Sequence, residues 1–176
     1  LEFRRVLFRS AQAAAFNPAG DTLLIGHQTS PYMTAYPWNN STGFGTKYTN
    51  PSPLTGISVY GAAWSPSGAA IVCSLASTPF IAAYAWSAGF STKYSNPVTI
   101  PTGAGNAVAF SPDGKSVVIG HATTPFVSAY PWTDAGGFGT KFSDPGTLSG
   151  GLRTSAVALD RKSTRLNSSH GYISYA

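Results

Sequence analysis

Charge is scarce in this chain. Only 10% of its 176 residues are Asp, Glu, Lys or Arg, and the one glutamate, Glu2, lies at an end. A single cysteine, Cys73, excludes an internal disulfide and a cysteine-built zinc cluster. No apolar run approaches the ~20 residues that a membrane-spanning helix needs. Zinc-protease, P-loop, dinucleotide and nucleophile-elbow patterns are missing, and no stretch carries a helical period. What is present is glycine (19), proline (13), 13% aromatics and 43% hydrophobic residues. That mixture describes a turn-rich, all-β chain with enough apolar material for a core.

The net charge of +5 does not describe the body of the chain. Residues 1–10 carry Arg4, Arg5 and Arg9 against Glu2, and residues 160–176 carry Arg161, Lys162 and Arg165 against Asp160. Between them five cations face four aspartates, so the middle is close to neutral. Nucleic-acid binding needs clustered cations on the folded surface, and that footprint is absent. The two basic end segments do not follow the repeat described next and resemble translated adapter sequence. Removing them is expected to leave the folded content unchanged.

Three segments recur. Phe16-Asn-Pro-Ala-Gly20, Trp64-Ser-Pro-Ser-Gly68 and Phe110-Ser-Pro-Asp-Gly114 are spaced by 48 and 46 residues, and so are Tyr36-Pro-Trp38, Tyr84-Ala-Trp86 and Tyr130-Pro-Trp132. Gly43–Pro51, Gly89–Pro97 and Gly137–Pro145 share Gly, Phe, Thr, Lys and Pro at the same places. Length varies only after the tryptophan, which marks a surface loop. The units fall at about 11–58, 59–104 and 105–150, and residues 151–159 begin a fourth copy with Ala156-Val-Ala-Leu159.

Each unit predicts four short strands. Ala107-Val-Ala-Phe110 closes at a Ser-Pro-Asp-Gly turn, where proline presets φ and glycine permits a positive one. Ser116-Val-Val-Ile-Gly-His121 reads as a strand buried on both faces. Phe126–Trp132 alternates, and Pro131, with no N–H, places an edge or an end near it. Gly139-Thr-Lys-Phe142 is the outer strand, with Lys47, Lys93 and Lys141 guarding the sheet edge.

The Ala-Phe-Ser-Pro-Asp-Gly-Lys pattern at 109–115, followed by a β-branched strand, resembles WD-repeat and lactonase-like β-propeller blades. The resemblance covers 11–159 and implies a partial propeller of three four-stranded blades plus the first strand of a fourth. No Trp-Asp dipeptide ends the third strand; Tyr-Pro-Trp and Gly-Phe-Gly-Thr-Lys stand there instead. Closed propellers use about 4–8 blades, so three blades are read as a piece of a larger ring or as a unit that self-associates.

Candidate chemistry is thin. His27 and His121 share one column with Leu75, which points to packing with a polar edge instead of a ligand ring. Cys73 reads as a small buried residue. Asp21 and Asp113 sit by the tight turns, their ordinary place, and Asp134 and Asp144 lie in the variable loop and the segment after it. Trp38, Trp86 and Trp132 are expected to fill the space between blades. The most site-like surface is the loop after each second strand: His27, Gln28, Thr29 and Ser30 in the first unit, Ser77 and Thr78 in the second, and His121, Thr123 and Thr124 in the third. No catalytic, cofactor or metal residue is assigned. The expected function is a non-enzymatic module for protein interaction or scaffolding, with a protein partner or further blades and with neither nucleic acid nor membrane. The alternatives are a propeller enzyme, lactonase-like or carbohydrate-active, with catalytic residues on other blades, and a virion-associated binding protein.

Overall fold

The computed structural model describes residues 11–146, and within them the three units form three four-stranded antiparallel sheets. The first contains β1 (Ala11–Phe16), β2 (Thr22–His27), β3 (Met33–Asn39) and β4 (Gly43–Phe44). The second contains β5 (Val59–Trp64), β6 (Ala70–Leu75), β7 (Ile81–Trp86) and β8 (Phe90–Lys93). The third contains β9 (Gly105–Phe110), β10 (Ser116–His121), β11 (Val127–Thr133) and β12 (Gly137–Phe138). Each is a simple meander, so strand order follows the chain. The start of the fourth copy at 151–159, the end of the third unit and both basic end segments lie outside the described residues.

Local chemistry explains the elements. The Pro-containing turns between first and second strands place Gly20, Gly68 and Gly114 at φ of 70–75°, a region open to glycine at little cost. Side chains of Asn17, Ser65 and Ser111 bond the backbone N–H groups that start the following strand. β6 is buried along its whole length, as a strand packed on both sides should be. β2 and β10 each keep a half-buried β-branched residue, Ile25 and Val118, on the side that no other described blade covers.

Several expectations need correction. Phe126 is not in the third strand; it precedes β11 with φ of 68°, which reverses the chain. The outer strand also starts earlier than Gly139. It is two residues long in the first and third blades and four in the second. Pro37 and Pro131 explain the difference: neither can donate toward the outer strand, whereas Ala85 at the same position in the second blade keeps its N–H. Past the break the chain still follows the third strand, through Tyr48, Tyr94 and Phe142 N–H groups donating to Ala35, Ala83 and Ala129 carbonyls. Only Lys93 lies in a strand. Lys47 and Lys93 bond Asn50 and Asn96, and Lys141 pairs with Asp144, so the recurring lysine closes the turn that follows.

The blades stack face to face, with inner strand β5 lying against both β1 and β9. Each blade has an aromatic face and an aliphatic face. Leu24, Met33 and Ala35 of the first blade meet Trp64, Ile71, Cys73 and Tyr84 of the second. Val72, Ile81 and Ala83 of the second meet Phe110, Val117, Ile119, Tyr130 and Trp132 of the third. Tyr48 lies edge-on to Trp86 at 5.0 Å, and Tyr94 repeats the contact with Trp132 at 5.1 Å. Tyr84 and Tyr130 hydroxyls donate to the linker carbonyls of Pro53 and Thr99.

Near the inner end, the two junctions fill the same space differently. At the first, Val59 sits over Gly26, where an added Cβ would come within 2.5 Å of Val59 Cγ1, and small Cys73 lies beside it. At the second, Gly105 replaces Val59. The room is taken by Ser74 and Ile119, whose Cβ and Cδ1 lie 2.8 Å from where a Gly105 Cβ would stand. The small cysteine and the two glycines are thus parts of one trade in volume.

Candidate functional site

One end of the sheets gathers the second-to-third-strand loops and the linkers between blades. Ala76 N–H donates to Ser58 O and Ala122 N–H to Ala104 O, each at 3.0 Å, tying loop to linker. Ser58 and Thr102 hydroxyls donate to the loop carbonyls of Gln28 and Thr124. The loop is the same construction three times. Ser30-Pro31, Thr78-Pro79 and Thr124-Pro125 are cis, and the next residues, Tyr32, Phe80 and Phe126, adopt φ of 66–68°. Large side chains seldom enter that region, and such residues collect at functional surfaces. Gln28, Ser30, Ser77, Thr78, Thr123 and Thr124 are exposed there, while Thr29 and His27 are half-buried.

His121 behaves differently from the loop residues. It is fully buried, and its Nε2 lies 3.1 Å from Ser128 Oγ. The second blade has Leu75 and Ala82 at these positions, so a bonded polar pair replaces an apolar one. His121 is therefore a packing residue with a polar edge, though its Nδ1 is buried without a partner. Burial lowers its pKa from 6.5, so the folded chain holds it neutral more strongly than the unfolded chain does. Stability from this group is present above pH ~6.5 and declines as pH falls, because the unfolded state takes up the proton. We expect melting temperature to drop between pH 7 and pH 5.5, and the double variant His121→Leu/Ser128→Ala to show a shallower drop. Equal slopes would assign the pH dependence elsewhere.

The site also contains residues that sequence reasoning passed over. Every inner strand is irregular at one register: between Ala11 and Ala13, between Val59 and Gly61, and between Gly105 and Ala107. The extra residues are Gln12, Tyr60 and Asn106, spaced by the repeat intervals. A bulge re-aims its side chain and is common beside binding sites. Asn106 Nδ2 is buried with no hydrogen-bond partner, and so is Ser74 Oγ, which lies 2.8 Å from where a Cβ on Gly61 of its own blade would stand. The signal was visible: a polar or large residue flanked by small ones, Ala-Gln-Ala, Val-Tyr-Gly and Gly-Asn-Ala, in the same column.

The described acids and the cysteine have structural work. Asp21 bonds Asn17, Asp113 accepts from Ser111 and from Lys115 N–H, and Asp134 accepts from Trp132 Nε1 and Ser67. The Ser111 hydroxyl holds the Asp113 carboxyl below its ordinary range. Cys73 is buried and donates to Ala82 O, and burial pushes its thiol up to about 12. Among the described residues no three His, Cys, Asp or Glu converge on a metal position. Two open grooves of about 410 and 420 Å³ lie beside the outer strands, around Trp38 and Tyr48 and around Val98 and Phe138; none of the nine loop candidates lines them.

No protein-family model and no curated protein matches the sequence. Solved structures do match in fold. The chain is similar to Kuenenia stuttgartiensis hydrazine synthase at 14% identity and a TM-score of 0.57, over 77% of this chain and 37% of that one. It is similar to a putative 6-phosphogluconolactonase from Bacteroides fragilis at 14% identity and 0.58, over 74% and 37%. It also matches a chain of a mitotic checkpoint complex at 21% identity and 0.50, over 66% and 34%. These are propeller structures, and the three sheets are propeller blades. The chain spans little more than a third of the structures it matches.

Proposed function

We propose that the three blades belong to a larger propeller that acts as a non-enzymatic binding module, and that its loop-bearing end takes a protein partner. The recurrent bulge carries this reading: it puts Gln12, Tyr60 and Asn106 at one register of the three inner strands, next to the hydroxyl-rich loops. Amide, phenol and hydroxyl groups without formal charge suit the backbone carbonyls and N–H groups of an exposed peptide loop. The engagement of Asp21, Asp113, Asp134 and Asp144 in turn and ion-pair bonds supports a role without catalysis.

A random twelve-residue peptide library displayed on phage, selected on the immobilised chain, tests it. Selected peptides should lose at least tenfold in affinity with Asn106→Leu or Tyr60→Ala and be unaffected by Thr46→Ala on the outer edge. Peptides insensitive to the first two substitutions would move the site. Turnover of chromogenic lactones or glycosides that His121→Leu abolishes would replace binding with catalysis.

A further inference from the structure

The two outermost blade faces are the same two surfaces that meet inside the chain. On the first blade the aromatic face is open: Phe16 is 48% and Phe44 57% exposed, whereas Trp64 and Phe110, in the Phe16 column, are 7% and 8% exposed. On the third blade no other described blade covers the aliphatic face. Val118, Val127 and Ala129 are half-buried there, while Val72, Ile81 and Ala83 in the second blade are fully covered.

The repeat supplies the fit between these faces in detail. Tyr48 and Tyr94 each seat edge-on against a tryptophan of the next blade. Phe142 is the third member of that column and is 47% exposed. Trp38 is the third tryptophan, and among the described residues its ring contacts are with Phe16 and Phe44 of its own blade. At the turns, Pro18 lies 3.6 Å from the Gly68 Cβ position and Pro66 3.4 Å from that of Gly114. The corresponding position at Gly20 has nothing within 4 Å, and among the described residues no blade follows that of Pro112, the third proline. The strand residues of both faces are uncharged, so their burial leaves no ion stranded.

We propose that the open aliphatic face of one chain seats on the open aromatic face of a second copy, head to tail at both ends, so that two chains close one six-blade ring. Closed propellers have about 4–8 blades, and two copies of the three described blades make six. Residues 151–159 of the same chain are the competing occupant, but their sequence repeats only the first-strand segment of a unit, whereas the face accepts a whole blade. The proposal rests on the blade junctions and not on the binding role, so either can fail alone.

Sedimentation equilibrium of the full chain should give twice the 18.3 kDa chain mass. Phe142→Asp and Phe44→Asp each damage one face of an exposed side chain. Each variant alone should be monomeric, and an equimolar mixture should recover dimer, because the intact head of the first fits the intact tail of the second. Melting curves check that both variants fold. As a second readout, chains carrying Phe142→Cys and Phe44→Cys should give a covalent 1:1 product with a bis-maleimide. A monomeric parent chain, a dimer that survives either aspartate, or no cross-linked product would overturn the head-to-tail ring.

Discussion

Gly105→Val is expected to lower stability by about 3 kcal/mol, a melting drop of roughly 6–12 °C for a chain of this size. The new Cβ would stand 2.8 Å from Ser74 Cβ, Ile119 Cδ1 and the Phe80 carbonyl oxygen. A carbonyl cannot step aside without moving the loop whose Phe80 N–H is bonded to Ser77 O. The first junction shows how a valine is accommodated, with glycine at position 26 and cysteine at position 73 around Val59. The triple variant Gly105→Val/Ser74→Gly/Ile119→Cys copies that arrangement and should regain most of the loss. Thermal melts of the single and triple variants decide it. Additive destabilisation in the triple variant would show that the two junctions are not alternative packings of one interface.

Trp132→Ala should cost about 3–5 kcal/mol, the range for removing a buried aromatic side chain. Trp132 is 3% exposed, meets Tyr94, Phe110 and Phe138 edge-on at 5.0–5.4 Å, and donates its Nε1 to Asp134. Its loss opens a cavity across the junction and leaves three rings without their common partner. Urea titration should show a lower midpoint, and a change under ~1 kcal/mol would mean that the rings do not carry the junction.

Why the strands and blades could be read from residues, and part of the site could not, has a physical basis. The Ser-Pro-x-Gly turns and the β-branched second strands impose local rules that act over four to six residues, so period and turn chemistry sufficed. Pro131 gave the right warning about pairing, but its consequence fell on the outer strand, which it shortened, and not on its own strand. Phe126 was misplaced because an aromatic in the left-handed region defies propensity; its N–H donates to Thr123 O and its carbonyl accepts from His121 N–H, which closes the loop. The bulge at Gln12, Tyr60 and Asn106 was missed because alternation was read from the regular part of the strand. Cys73 could be recognised as small and buried, yet only the contrast with the third blade, where Gly105 stands with Ile119, relates its size to Val59.

Nothing tests the repeated-junction account more directly than a double-mutant cycle on Tyr48 and Trp86, which belong to different blades and lie edge-on at 5.0 Å. With Tyr48→Ala, Trp86→Ala and the pair measured at one protein concentration, the coupling should be about 0.5–1.5 kcal/mol, the worth of an aromatic pair beyond its buried area. Additivity within ~0.3 kcal/mol, as found for sites that do not touch, would contradict the seating of each blade on the next.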